Sequence, residues 1–314
     1  MAPQSHPFIP ETAFVLGAGL GTRLKALTQR LPKPLIPVEN RPLITHAFDH
    51  LIASGVRRFV VNTHWLSAEY ARAFPEAMHA GCPLQFVDEQ PVVLETAGGL
   101  KNAEPLLRNR PFVVYNGDIL TDLPLRRIFD AHHASGNEVT LVLRSHGGPL
   151  QVSWDAASGR VTDIGCRIHP DRPAGFLFTG VYVVEPEFLA RIPPGQKLGV
   201  VPVFIEMIRA GAALGGVCVD EGEWWDLGTR EQYLAVHQAR ASNGPWISPD
   251  AVVDPNAELR GATAVGAGAV IGAGCILDHC ILWPGARIEP GSRLSRCIVT
   301  GSQPVHGTYC DADL

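Results

Sequence analysis

No stretch of this sequence approaches the run of about 18 apolar residues that a membrane-spanning helix requires, so no membrane partner is expected. Positive charge is not in excess either: 26 Lys and Arg face 31 Asp and Glu, a formal charge of −5. General nucleic-acid binders carry a basic face, so nucleic acid is not an expected partner. Charged residues fill only 18% of the 314 positions, against 46% apolar. That balance excludes extended disorder and leaves ample apolar surface for a core. A disulfide framework is also missing. The seven cysteines include Cys275, Cys280 and Cys297 at spacings that match no zinc pattern, and they read as buried free thiols. Met1–Pro7 lacks the basic and apolar segments of a secretory leader, and the cytoplasm is the expected compartment. The length allows one large domain or two ordinary ones.

What is present begins with glycine. Phe14-Val15-Leu16 reads as the end of a buried strand, and Gly17-Ala18-Gly19-Leu20-Gly21-Thr22-Arg23 follows it. Glycine lets a backbone approach a ligand closely and turn successive N–H groups toward one anion. Lys33 then lies between Pro32 and Pro34, which stiffen its backbone. A backbone nest flanked by two cations suits a polyphosphate. The loop is not a Walker A motif, because no Gly-Lys-Ser/Thr ends it. It also departs from the dinucleotide fingerprint, since G-x-G-x-G is followed at once by Thr-Arg. An ordinary strand-to-loop turn is the competing reading.

The chain then alternates. A helix is expected over 42–54, a strand over 58–62, a helix over 67–79 and a strand over 84–87, the order of parallel α/β packing. Glu95-Thr96-Ala97-Gly98-Gly99 opens a helix expected to reach 107. Its paired glycines either admit a ligand or simply mark a helix start. A strand beginning at 111 ends in Asn116-Gly117-Asp118. Ligands of open parallel sheets bind beyond strand carboxyl ends. A carboxylate there suits Mg²⁺, and a turn aspartate has the same appearance. Further strands are expected at 138–143, 176–184 and 216–219, with helices near 124–135, 202–210 and 229–241 and less regular chain after 143. Asn243-Gly244-Pro245 reads as a linker.

From Ile247 an apolar residue recurs every six positions, through Val253, Leu259, Val265, Ile271 and Leu277, and after a slip of one through Leu282, Ile288 and Leu294. Hexapeptide repeats build a parallel β-helix with these residues inward, and nine of them give about three coils. The segment suits a structural or oligomerising role. His279 and His306 are the only residues available for an acyltransferase reading, and neither has a recognisable setting.

The compound pattern G-x-G-x-G-T-R-L followed by Pro32-Lys33-Pro34-Leu35-Ile36-Pro37-Val38 resembles the signature of the sugar-1-phosphate nucleotidyltransferases. Asn116-Gly117-Asp118 and Trp225-Asp226-Leu227-Gly228-Thr229 are similar to that family's two metal-binding motifs, in the family's order. Leu94–Gly99 and Val61–Leu66 look most like the mannose-1-phosphate guanylyltransferase and N-acetylmuramate-1-phosphate uridylyltransferase branches, the former slightly favoured. The resemblance implies an α/β fold: a Rossmann-like mixed-sheet catalytic domain over 1–242 and a short left-handed parallel β-helix over 246–314, through which homo-oligomers can form. It implies nucleoside triphosphate and sugar 1-phosphate as substrates and Mg²⁺ as cofactor, held by Asp118 and Asp226. Arg23 and Lys33 would join them as catalytic cations, and Leu16, Gly17, Ala18, Gly19, Gly21, Thr22, Gly98, Gly99 and Asn116 would hold the nucleotide. Glu95, Gly117, Thr179, Gly180 and Arg167 would face the sugar phosphate, although Thr179 equally fits a plain strand position.

One departure stands out. Where many members carry Glu-Lys-Pro, this chain has Cys166-Arg167-Ile168-His169-Pro170, in which Arg167 can replace the lysine as a phosphate cation but no acidic residue stands beside it, so a different hold on the sugar is open. The nucleophile, a phosphate oxygen, is largely ionised at neutral pH because its second pKa is about 6, so no strong base is required. Two further readings stay open: a regulatory subunit that binds nucleotide sugar without turnover, and a bifunctional enzyme.

Overall fold

The apolar runs assemble into one mixed sheet. The computed structural model describes residues 8–24, 27–241 and 244–314; Met1–Pro7 and the linker residue Asn243 lie outside that range. Packing divides the chain into two units, Met1–Leu20 with Ile44–Trp225, and Gly21–Leu43 with Asp226–Leu314. The division passes through the glycine loop, between Leu20 and Gly21, and through the second aspartate motif, between Trp225 and Asp226.

The first unit is built on a ten-stranded sheet. Thr12–Leu16 lies inside it, parallel to Arg58–Thr63 on one side and Phe112–Asn116 on the other. Leu177–Val184 runs antiparallel between Phe112–Asn116 and Val139–Arg144, and Leu214–Cys218 follows parallel to the latter. Phe14, Val60, Phe112, Val114, Leu141 and Tyr182 are buried in one apolar cluster with Ala97 and Leu100 of the Glu95–Asn102 helix and Phe204 of the Val200–Arg209 helix. Register aligns Leu16 with both Asn62 and Asn116 at the carboxyl ends of their strands. The residues after those ends therefore gather along one edge, where ligands of such sheets bind.

Three local expectations need correcting. The helix expected over 67–79 stops at Ala73, and Met78–His79 pairs instead with Cys82–Asp88. Pro75 disfavours helix at Phe74, and Ala80 and Gly81, with φ of 44° and 77°, make the tight hairpin turn. The helix expected to reach 107 breaks at Ala103, where Pro105 begins a second short helix, Glu104–Leu107. The irregular stretch after 143 holds an antiparallel pair, Val152–Asp155 and Arg160–Ile164.

The second unit combines Gly21–Leu43, the Arg230–Arg240 helix and the repeats. The repeats form a left-handed parallel β-helix whose three sheets each contain four strands. There are four coils, not about three. The phase slips again after Leu294, so that Val299 rather than residue 300 continues the buried row. Val265, Ile271, Leu277, Leu282, Ile288, Leu294 and Val299 are all buried, each contributing roughly 1.5–3 kcal/mol. Ile247 belongs to the first coil, which has a neighbour on one side only, and is 48% exposed. Cys275, Cys280 and Cys297 fill this interior as free thiols. No helix among the described residues is long and apolar enough to cross a membrane.

Candidate active site

In the first unit the glycine loop rests on a buried polar chain. The Gly17 N–H donates to Asn62 Oδ1 at 2.9 Å, and the Gly17 carbonyl accepts from the Tyr70 hydroxyl at 2.8 Å. Asn62 in turn donates from Nδ2 to Glu89 Oε1 at 2.7 Å, and Glu89 Oε2 accepts from the Leu94 N–H at 2.7 Å. Glu89 is 3% exposed. Desolvation raises its pKa above the ordinary carboxylate value, although the Asn62 and Leu94 hydrogen bonds favour the charged form. This chain joins the strand end, the glycine loop and the approach to the Glu95–Asn102 helix.

In the direction a side chain would take, three of the glycines around it face protein atoms. A Cβ on Gly17 would lie 2.7 Å from the Asn62 carbonyl, and one on Gly99 would lie 2.5 Å from Glu89 Oε1. A Cβ on Gly98 would run into the Gln196 carbonyl. Gly19 differs, with no atom within 4 Å of an added Cβ; Ala18 is buried and Gly19 exposed.

Beyond the neighbouring strand end, the Gly117 N–H donates to the Leu16 carbonyl at 3.0 Å. The Asn116 amide occupies the space a Cβ on Gly180 would need, 2.4 Å from Nδ2, and Gly180 has φ of 83°. These two candidates are thus brought together, at a register shift between Phe178 and Tyr182. Such bulges re-aim side chains beside sites. Asp118 lies close enough to Tyr70 for its charge to add to burial in raising that hydroxyl's pKa. Thr179 fits the strand reading: it is 1% exposed, and its hydroxyl donates to the Val142 carbonyl and accepts from the Val181 N–H.

Glu95 starts its helix with φ of 61° and lies 3.7 Å from Lys197 Nζ. Arg167 is exposed on a turn built by Asp163, whose buried carboxylate accepts the N–H groups of Arg167, Ile168 and His169. Burial opposes the Asp163 charge, but these hydrogen bonds outweigh it and hold the pKa low.

The second unit carries the charged cluster. Arg23 Nη1 donates to Asp226 Oδ2 at 3.1 Å, and Lys33 Nζ donates to the Asp226 carbonyl at 2.7 Å and lies 3.7 Å from Oδ1. The Arg23 side chain is 63% exposed, that of Lys33 only 4%. Gly21, with φ of 61°, accepts at its carbonyl from the Leu24 N–H and the Thr28 hydroxyl, which closes the turn carrying Thr22 and Arg23. Gln232 Oε1 accepts from the N–H groups of Gly228 and Thr229, and the Thr229 hydroxyl accepts from the Gln232 N–H. That reciprocal cap fixes the backbone directly after Asp226. Three charged residues from distant motifs thus meet, as their spacing had no means to reveal.

Sequence reading missed Asn62, Tyr70, Glu89 and Gly228 as parts of these structures. Asn62 and Glu89 are polar residues among buried neighbours, and that mismatch was the available signal. His279, weighed for acyl transfer, is a corner residue. Its ring fills the space beside Gly261, and Nδ1 accepts from the Ala262 N–H.

A Nucleotidyl transferase family model matches residues 12–243. The chain is 33% identical over 304 residues to a mannose-1-phosphate guanylyltransferase of Mycobacterium tuberculosis, covering 90% of this chain and 83% of that protein. It is 30% identical over 234 residues to an N-acetylmuramate alpha-1-phosphate uridylyltransferase of Neisseria meningitidis, covering 74% and 99%. The inositol-1-phosphate CTP transferase structure from T. maritima superposes with a TM-score of 0.60 at 19% identity, covering 72% and 93%, a likeness of fold. The chain belongs to the nucleotidyl transferase family. Members of this family generally use a divalent metal.

Proposed function

We propose that this protein transfers a nucleotidyl group from a nucleoside triphosphate to a sugar 1-phosphate, giving a nucleotide-diphosphate sugar and pyrophosphate. The observation that carries the reading is the convergence of Arg23 and Lys33 on Asp226 within a chain of this family. Arg23, exposed and planar, suits the departing β,γ-phosphates, and Lys33 suits the α-phosphate as a point charge. Asp118 and Asp226 supply hard oxygen donors, the set that Mg²⁺ accepts alongside substrate phosphates. Bound there, Mg²⁺ would neutralise phosphate charge. The residues themselves orient the triphosphate and balance its charge, which is most of what in-line phosphoryl chemistry asks of a protein. Gly19 and Gly21 to Thr22 remain the loop's candidates for the phosphates, and Asn116, Gly98 and Gly99 for the nucleoside side. Glu95, Gly117, Gly180 and Arg167 remain candidates for the sugar phosphate.

GTP and mannose 1-phosphate are the favoured pair, supported by the Mycobacterium relative at 33% identity over 90% of the chain. A uridylyl transfer to N-acetylmuramate 1-phosphate is the second reading, supported by the Neisseria relative. Pyrophosphate release should be measured with Mg²⁺ across GTP, UTP, dTTP, CTP and ATP, each with a panel of sugar 1-phosphates. One dominant pair establishes base and sugar together. Silence throughout, with nucleotide sugar still bound in calorimetry, would replace the enzyme with a regulatory binding subunit.

A further inference from the structure

One face of the β-helix hides residues that point away from its interior. In the sheet containing Ala264–Val265, Ile281–Leu282 and Ile298–Val299, the residues Val265, Leu282 and Val299 face the core. Alternation along a strand therefore turns Ala264, Ile281 and Ile298 outward, yet all three are at most 1% exposed. On the next face the outward Val252 and Val270 are 62% and 37% exposed. The first face is covered, and its polar contacts show by what. Asn40 donates from Nδ2 to the carbonyls of Trp246 and Val265, at 3.0 and 2.8 Å. Arg30 donates to the Thr300 carbonyl at 3.1 Å. Trp283 Nε1 donates to the Tyr233 hydroxyl at 3.2 Å, and that hydroxyl donates to the Pro37 carbonyl at 2.5 Å.

These contacts end on the segment that carries Lys33. Lys33–Leu35 is a single tight turn, Pro37–Val38 pairs with Arg41–Pro42, and Glu39 and Asn40 connect them with φ of 52° and 61°. Arg240 holds Glu39 from the Arg230–Arg240 helix at 2.6 Å. Pro32, Pro34 and the turn bonds Leu35 N–H to the Pro32 carbonyl and Ile36 N–H to the Lys33 carbonyl shape the backbone locally, but they do not set where the turn sits. Contacts from outside it hold Pro37 through Tyr233 and Asn40 through two β-helix carbonyls.

We propose that this face of the β-helix is a positioning frame for Lys33, with Tyr233 and Asn40 as positioning residues. The repeats are then part of the catalytic apparatus rather than an appended module. This inference rests on Lys33 acting as proposed above. Displacing a reacting group by about 1 Å can cost about 10²-fold in rate, so a small slackening is enough to be read.

The test uses the full chain with Tyr233→Phe and Asn40→Gly. The first deletes one hydroxyl. The second removes two hydrogen bonds at a positive φ that glycine adopts freely, which keeps the test available if the first variant folds poorly. Lysine amines are modified under native conditions and followed residue by residue by mass spectrometry, with Lys101 and Lys197 of the first unit as internal references. Labelling of Lys33 should rise about tenfold or more while the references stay constant. In turnover, kcat should fall by about 10- to 100-fold with KM for the triphosphate little changed. In a Lys33→Ala background, Tyr233→Phe should add almost nothing, because residues acting through one another are not additive. Lys33 labelling at the wild-type rate in both folded variants, or losses that multiply fully with Lys33→Ala, would overturn the proposal. If the wild type releases no pyrophosphate with any substrate pair, the functional reading fails, and Lys33 labelling alone still decides the frame.

Discussion

The guanidinium of Arg23 lies against Gly228, where an added Cβ would come within 2.4 Å of Nη1 and 2.6 Å of the central carbon. No other atom among the three nearest belongs to a different residue, so the absent side chain at 228 is the space in which the arginine reaches Asp226. Gly228 is buried, but Gly228→Ala would push only the far end of a flexible, exposed side chain, so the stability cost should stay at about 1 kcal/mol or less. Catalysis should suffer far more, by about 10²-fold in kcat, because a charge-stabilising donor is displaced. Unfolding curves and pyrophosphate release on the same preparation check both halves. Near-wild-type turnover would detach Arg23 from the reaction.

Much of this was legible because it is local. The glycine loop follows an apolar strand end, and both aspartate motifs and the six-residue rhythm are contiguous patterns. What was not legible joins distant residues. Gly17 and Asn62 are 45 positions apart, Asn62 and Glu89 are 27 apart, and no spacing rule links them. Glycine itself was ambiguous: the space at Gly17, Gly98 and Gly99 is filled by protein atoms, while that at Gly19 is open. A sequence shows that a side chain is missing, not what fills the gap. The fourth coil was hidden because its buried row shifts phase at Val299, which breaks the simple count.

Asp118→Asn and Asp226→Asn should each abolish most turnover, by about 10²–10³-fold if each acts on developing charge, and Asp226→Asn should also cost stability. Asp226 balances Lys33, whose side chain is almost wholly buried. Neutralising it removes the carboxylate's share of that balance while the bond to the Asp226 carbonyl survives, at a cost of about 1 kcal/mol or more. Denaturant titration of both variants, beside turnover, separates the two. Full turnover in either would remove that carboxylate from the metal assignment.

Gly98→Ala and Gly99→Ala should destabilise by about 1–3 kcal/mol, the cost of overpacking. Gly98 opposes a backbone carbonyl, which moves only with its chain, whereas Gly99 opposes the Asn62–Glu89 side-chain pair. The second substitution should therefore also loosen the Gly17 amide. It should raise KM for the triphosphate more than Gly98→Ala does at equal stability. Matched changes in KM would separate the glycine loop from the Asn62–Glu89 chain.

Acid should weaken the fold through two buried histidines. Burial lowers the pKa of His132 to about 4, helped by the charge of His133. It lowers that of His237 to about 4 as well, against the opposing effect of the Tyr233 carbonyl. His237 Nδ1 must donate to that carbonyl, and Nε2 is buried with no hydrogen-bond partner among the described residues. A second proton would therefore have nowhere to bond. Both rings are neutral in the folded chain and titrate near 6.5 once unfolded. Their contribution is complete above about pH 6.5 and is lost as pH falls from there toward 4, on the order of 3 kcal/mol for each ring. Urea midpoints taken at intervals from pH 7.5 to 4 should fall in that window for the wild type. His237→Gln should show a slope shallower by about one proton, because its side chain does not titrate. Identical slopes in the two proteins would mean that His237 is already charged in the folded chain.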